Sequence, residues 1–163
     1  MRRRLLWLMC ALLLLAVVAI LRLLALHGSA TMPQDQVDIY EVVFRYQFEH
    51  SFLGGKPDSG AFFLLIDGRD PPESFLHRFD DVGVPIRRGS LYSSDSGIQF
   101  FVNGVQLIDP QRAYALGGYE IASRQAVGRP SLFPATCTCT NRYILSRKDN
   151  RWSVTNVENI SSS

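Results

Sequence analysis

The chain has 163 residues, of which 47% are hydrophobic and 20% are charged, with 17 basic and 15 acidic side chains. Four of the basic residues and none of the acidic ones precede residue 31, so the remainder carries 13 basic against 15 acidic side chains, a net charge of −2. This balance excludes the basic patch of a nucleic-acid-binding protein and excludes a polyacidic surface. Residues 33–160 have the usual length of one domain, and we expect a single one.

The N-terminal segment has the pattern of a membrane or targeting sequence. Arg2, Arg3 and Arg4 precede an uncharged apolar run over residues 5–21. In a helix, residues 5–26 extend about 33 Å, which is enough to cross a hydrocarbon core about 30 Å thick. Basic residues before such a run keep the N-terminus in the cytoplasm. The sequence therefore predicts a single span through residues 5–26, with the domain on the extracytoplasmic, periplasmic side of a cell membrane.

A second outcome for this segment is cleavage. Gly28, Ser29 and Ala30 have the small-x-small form of a signal-peptide cleavage site, although the apolar run is longer than that of most signal peptides. Residues 1–30 are thus predicted to be an anchor or a signal, and cleavage near Ala30 would give a secreted protein.

Two helices are predicted after Pro33. The first is a long amphipathic helix, which ends before Gly54 and Gly55 and has apolar residues at spacings of three and four: Val37, Tyr40, Val43, Phe44 and Phe48. After an apolar run over residues 61–66, which predicts a buried strand, Asp70 and Glu73 have the spacing of a capping box. They predict a second, short helix that begins at Pro71.

From residue 84 onward the sequence has the pattern of strands and turns. Five apolar or alternating segments follow, in the stretches "GIQFFV", "VQLID", "AYALGGYEIA", "TCTCTNRYILSR" and "RWSVTNVENI". Residues 148–150 predict a hairpin turn between the last two. Gly104 marks either another hairpin or a kink in one long strand. The predicted fold class is α+β, with the two helices packed on a curled antiparallel meander and residues 161–163 as a disordered tail.

Several stretches resemble a family of small exported bacterial proteins of unknown function. They are "DGRDPPESFLHRF", "VPIRRGS", "ALGGYEIAS" and "KDNRWSVTNVENIS", and the resemblance covers most of residues 37–161. It implies a cystatin-like or nuclear-transport-factor-like (NTF2-like) arrangement of helix and curled sheet. It implies no catalytic residue.

The stretch "TCTCT" places Cys137 and Cys139 two residues apart. In a strand, both thiols project from one face with Cα atoms about 6.6 Å apart, near the upper limit for a disulfide. Three readings remain open: reduced cysteines packed against the helix, a disulfide favoured by an oxidising compartment, and a redox or metal site. Zinc would need two further ligands, and no second cysteine pair supplies them. We expect no metal and no cofactor.

Three polar residues are candidates for a ligand site at the mouth of a pocket: Asp70, His77 and Arg88. Glu73 lies four residues before His77 and can tune its protonation, or can serve the helix cap while His77 lies on a solvated face. Arg88 has the geometry to bind a carboxylate or phosphate, or to pair with acidic side chains of the short helix.

The sequence lacks a nucleophile elbow, a metal-ligand cluster and a glycine-rich phosphate loop. We therefore predict a non-enzymatic interaction domain, membrane-anchored or secreted, that binds an unknown protein or component of the bacterial cell envelope. One alternative is an enzyme or small-ligand binder that uses a pocket between helix and curled sheet, lined by strand aromatics: Phe101, Tyr114, Tyr119, Tyr143 and Trp152. A weaker alternative is thiol chemistry at Cys137 and Cys139.

Overall fold

A computed structural model describes residues 32–51, 60–93, 97–122 and 136–162. The predicted anchor or signal at residues 1–30 and its cleavage site near Ala30 lie outside the described residues. Within those described, no helix is long and apolar enough to cross a membrane.

The domain consists of one long helix, one short helix and six strands. The helices are α1 (Gln34–His50) and α2 (Glu73–Leu76), and α2 continues as a 3-10 turn over His77–Phe79. The strands are β1 (Ala61–Ile66), β2 (Ile86–Arg88), β3 (Gly97–Asp109), β4 (Arg112–Ala122), β5 (Thr136–Lys148) and β6 (Arg151–Ser162), with a second 3-10 turn at Gly89–Leu91 after β2. They form one sheet in the order β2-β1-β3-β4-β5-β6. Strand β6 includes Ser161 and Ser162, which the sequence analysis assigned to a tail.

The predicted antiparallel meander is wrong, because the sheet is mixed. Strand β1 lies between β2 and β3 and runs parallel to both, and only β3 to β6 form an antiparallel meander. The apolar run of β1 is buried on both faces, as is typical of a parallel strand, and residues 67–96 supply the crossover that parallel pairing requires. The strand was predicted, but a run of apolar residues does not specify the direction of its neighbours.

Of the two readings of Gly104, the kinked strand is correct. Strand β3 continues through Gly104, which has φ +77° and lies in a bulge between Asn103 and Val105. The Gly104 N–H donates to the carboxylate of Asp67 at 2.6 Å, and the Tyr40 hydroxyl on α1 donates to the same carboxylate at 3.0 Å. Burial, together with this hydrogen bond, raises the pKa of Tyr40. Asp67 thus links the bulge in β3 to α1 through two hydrogen bonds.

The predicted hairpin between β5 and β6 is confirmed. Asp149 and Asn150 form its turn and both have positive φ, 50° and 62°. Two adjacent residues with positive φ are the mark of a type I′ turn, whose twist matches that of the paired strands.

The core lies between α1 and one face of the sheet. Phe44 is fully buried and its ring lies 6.1 to 6.3 Å from those of Phe48, Phe75 and Phe79. Phe48 in turn stacks on Phe62 of β1 at 4.9 Å. These aromatic contacts join α1, the short helix and the sheet into one core.

The predicted capping box of the short helix is wrong. The N-cap residue is Pro72, without a side-chain cap, and helix α2 begins at Glu73 and lasts only four residues. The Asp70 carboxylate is not available for the cap because it accepts two hydrogen bonds from Ser90. With no cap and a single α turn, the helix is held by the burial of Phe75 and Leu76.

Candidate functional site

The two helices and β2 bring most of the candidate polar residues to one side of the domain. The exposed Asp70 carboxylate accepts from the Ser90 backbone N–H at 2.8 Å and from the Ser90 hydroxyl at 2.6 Å. These hydrogen bonds, the hydroxyl first, lower the pKa of Asp70, and the guanidinium of Arg88 adds to the effect. Asp70 therefore fixes the turn that follows β2.

This contact predicts a measurable titration. In the wild-type chain, an NMR titration of the Asp70 carboxyl carbon should give a pKa below the ordinary value of about 3.9. Because the folded-state pKa is lowered, the contact stabilises the fold above the ordinary pKa and its contribution is lost as the pH falls through the folded value. In Ser90→Ala the pKa should return toward the ordinary value. An unchanged pKa in that variant would show that Ser90 is not the cause.

The other two candidates each have a partner of opposite charge. Arg88 Nη2 lies 3.2 Å from Glu73 Oε2, which confirms the predicted pairing of this arginine with the short helix. His77 Nδ1 lies 3.4 Å from Asp80, not from Glu73, because residue 77 begins a 3-10 turn in which positions three apart are neighbours. Both pairs are solvent-exposed, and such pairs contribute little to stability.

An open pocket of about 410 Å³ lies between the short helix and β2. Its polar lining includes Glu73, His77 and Asp80, and its apolar lining includes Leu76, Phe79 and Ile86. Of the three residues predicted at the mouth of a pocket, only His77 lines this one; Asp70 and Arg88 are not among its lining residues. Among the described residues, no three His, Cys, Asp or Glu side chains are grouped so that they could hold a metal ion.

The thiol pair is described only in part. Cys139 is a half-buried free thiol that accepts from Asn159 Nδ2 at 3.5 Å, and it lies on the same strand face as Asn141 and Tyr143. The side chain of Cys137 lies outside the described residues. The redox and metal readings of the pair remain untested predictions.

The sequence analysis missed one buried polar residue, Gln47. It is 2% exposed, and its Nε2 lies 3.3 Å from the carbonyl oxygens of Phe101 and Gly118 and 3.2 Å from the hydroxyl of Tyr143. The close approach is possible because the adjacent Gly117 has no side chain, and a Cβ there would lie 3.1 Å from Gln47 Nε2. A polar residue on the apolar stripe of α1, together with paired glycines in β4, is the signal that would have indicated this contact.

The aromatic residues proposed to line a cavity divide between the two faces of the sheet. Tyr143 and Trp152 are buried on the face that α1 covers, and Tyr119 is on the same face, next to Phe100 at 6.1 Å. Phe101 and Tyr114 are only half-buried and project from the opposite face, because their positions alternate with those of the buried residues.

The long edge strand is the remaining feature with functional potential. Strand β6 has 12 residues and pairs only with β5 among the described strands. Between Trp152 and Ser162 it contains no proline and no lysine, and Glu158 is its only charged residue. The opposite edge, β2, has three residues, follows Pro85 and carries Arg87 and Arg88. Short length, proline and lysine are devices that protect edges, and β6 has none of them between Trp152 and Ser162, although two register shifts interrupt its pairing with β5.

Comparison with known proteins found no matching family model, no matching curated protein and no matching solved structure. The resemblance to small exported bacterial proteins, with its cystatin-like or NTF2-like implication, therefore stays a prediction.

Proposed function

We propose that this chain is a non-enzymatic interaction domain, membrane-anchored or secreted, that binds an envelope partner by adding one of its extended segments to the free edge of β6. The observation that supports this is the 12-residue edge of β6, which has no second strand neighbour among the described residues. Its unpaired N–H and C=O groups form a template for another strand, and main-chain hydrogen bonds would supply the affinity.

The sequence supports the proposed location. The three arginines before the apolar run favour an N-terminus in the cytoplasm and a domain on the extracytoplasmic side. In that compartment the edge of β6 would meet proteins of the cell envelope. Whether the apolar segment is retained or removed near Ala30 changes the attachment of the domain but leaves the edge strand the same.

The pocket beside the short helix could also hold a substrate or a small ligand. It gives weaker support for that function than the edge of β6 gives for strand addition. All three of its ionisable side chains lie next to a partner within the protein, because Glu73 lies beside Arg88 and His77 lies beside Asp80. A catalytic pocket is expected to combine a concave shape with polar groups directed at the substrate. Here the polar groups are exposed and directed at one another.

The proposal is tested by blocking the edge. The test variant is Asn156→Lys, at an exposed position of the edge strand β6. The matched control is Asn103→Lys, which makes the same change at an exposed position of β3, an interior strand. Proteins would be captured on the full chain from detergent-solubilised membranes after cross-linking. A lysine in the edge should reduce recovery of the partner by about fivefold, equivalent to about 1 kcal/mol for a lost cross-strand pair.

Asn103→Lys should recover the partner at the wild-type level. The proposal fails if no protein is enriched over background by the wild-type chain. It also fails if Asn156→Lys and Asn103→Lys recover the same proteins in the same amounts.

A further inference from the structure

Both hairpin turns of the meander and the beginning of α1 lie at the same end of the domain. Strand β3 returns as β4 after Asp109, and β5 returns as β6 after Lys148. The Arg147 N–H donates to the Gln111 carbonyl oxygen at 2.8 Å and so links the two turns. The Arg147 guanidinium also lies 3.2 Å from Asp35, in the first turn of α1. We call this surface the hairpin end.

The hairpin end exposes large apolar side chains. Leu107 and Ile108, near the turn between β3 and β4, are 44% and 54% exposed, while most large apolar residues in the described part of the chain are buried. Removing apolar side chains of this size from water is favourable. Adjacent exposed apolar residues at a hairpin turn are therefore suited to insertion into an apolar phase.

The neighbouring turn supplies hydrogen-bond donors and positive charge. A pocket of about 450 Å³ is lined by Lys148, Asp149, Arg151, Trp152 and Ser153. Trp152 is 7% exposed and its indole nitrogen is buried, so the side chains of Lys148 and Arg151 supply the accessible donors. Since three strand spacings of about 4.8 Å separate β3 from β6, the apolar turn and this pocket lie about 14 Å apart.

The short connection between the apolar N-terminal segment and α1 indicates which surface the hairpin end faces. Helix α1 begins there at Gln34, only eight residues after Leu26, the last residue of the apolar N-terminal segment. Eight extended residues span at most about 28 Å. If the apolar segment holds the chain at a bilayer, as proposed above, the hairpin end is the part of the domain that the chain tethers to that bilayer.

We propose that the hairpin end docks on an anionic bilayer surface, with Leu107 and Ile108 entering the acyl boundary and the pocket of Lys148 and Arg151 facing the lipid phosphates. An apolar tip flanked by basic side chains is typical of interfacial membrane binding. The inference rests on the membrane association given under the proposed function. It adds an orientation in which the far end of the sheet points away from the membrane.

The test uses the full chain in phosphatidylglycerol-containing vesicles with brominated acyl chains, which quench nearby tryptophan. Two variants are compared, Ile108→Trp at the hairpin end and Ile160→Trp, which replaces an isoleucine 49% exposed near the far end of β6. Trp7 and Trp152, the two natural tryptophans, contribute equally to both variants. The tryptophan introduced at position 108 should be strongly quenched and the one at position 160 should not be.

Removing the charges with Lys148→Gln and Arg151→Gln should lower the docked fraction by about fivefold for each charge removed. Quenching should also fall when phosphatidylcholine replaces phosphatidylglycerol. Equal quenching at positions 108 and 160, or equal quenching in both lipids, would overturn this inference while leaving the membrane association intact. If the chain does not float with the vesicles at all, the proposed membrane association and the docking fail together.

Discussion

Replacing Phe44 by alanine is expected to lower the free energy of unfolding by about 3 to 5 kcal/mol, as for other fully buried phenylalanines. The Phe44 side chain is 0% exposed and packs against Phe48, Phe75 and Phe79. Its loss removes the apolar contacts between α1 and the short helix and leaves a cavity too well enclosed to collapse. Urea denaturation of the full chain in mild detergent, followed by the fluorescence of the buried Trp152, measures the change.

The matched control is Phe101→Ala. Phe101 lies in the same sheet but projects from the face that α1 does not cover, where it is half-buried. Its replacement should cost less than half as much, because part of its surface is already in water. Equal losses for Phe44→Ala and Phe101→Ala would show that the core is not where the aromatic contacts indicate.

Gln47→Glu is expected to destabilise the fold by roughly 3 to 5 kcal/mol at neutral pH, the usual cost of an uncompensated buried charge. The amide nitrogen of Gln47 faces the carbonyl oxygens of Phe101 and Gly118 and the hydroxyl of Tyr143. A carboxylate at this position loses the donor, and it places its negative charge against two carbonyl oxygens. The shape of the side chain is almost unchanged, so packing contributes little to the loss.

The pH dependence of this variant has a defined sign. Burial disfavours the charged form and raises the pKa of the introduced carboxyl group above its unfolded value of about 4.3. The destabilisation should therefore shrink as the pH falls through the folded pKa toward the unfolded one, because the protonated acid is neutral and regains a donor. Glu49→Gln, at an exposed position of the same helix, should change stability by less than about 0.5 kcal/mol. A loss in Gln47→Glu that is independent of pH would contradict this account.

The local elements were predictable because each depends on a short stretch of sequence. The apolar spacing of α1 predicted Val37, Tyr40, Val43, Phe44 and Phe48 on its buried face; the last four are buried and Val37 is half-buried. The turn at Asp149 and Asn150 follows from residues that tolerate positive φ. The contact of Arg88 with the short helix was also expected from charge alone.

The capping box failed for a reason that local sequence does not contain. Asp70 has the residue type and spacing of an N-cap, but Ser90, which lies 20 residues further along the chain, offers its carboxylate two donors. A tertiary contact therefore displaced a local one. Gln47 is similar, because its position on the apolar stripe of α1 is unusual for a polar residue but its partners lie in three different strands.

The sequence by itself determined the sizes, order and types of most elements, since hydrophobic period and turn chemistry act over a few residues. Only the tertiary structure decided that β1 lies parallel between β2 and β3, that β6 has β5 as its one neighbour among the described strands, and that the two hairpin turns share one end with the beginning of α1. Strand order and direction depend on contacts between residues far apart in the chain, and each strand's own residues are compatible with several neighbours. Both functional proposals, strand addition at β6 and docking through the hairpin end, depend on that part of the fold.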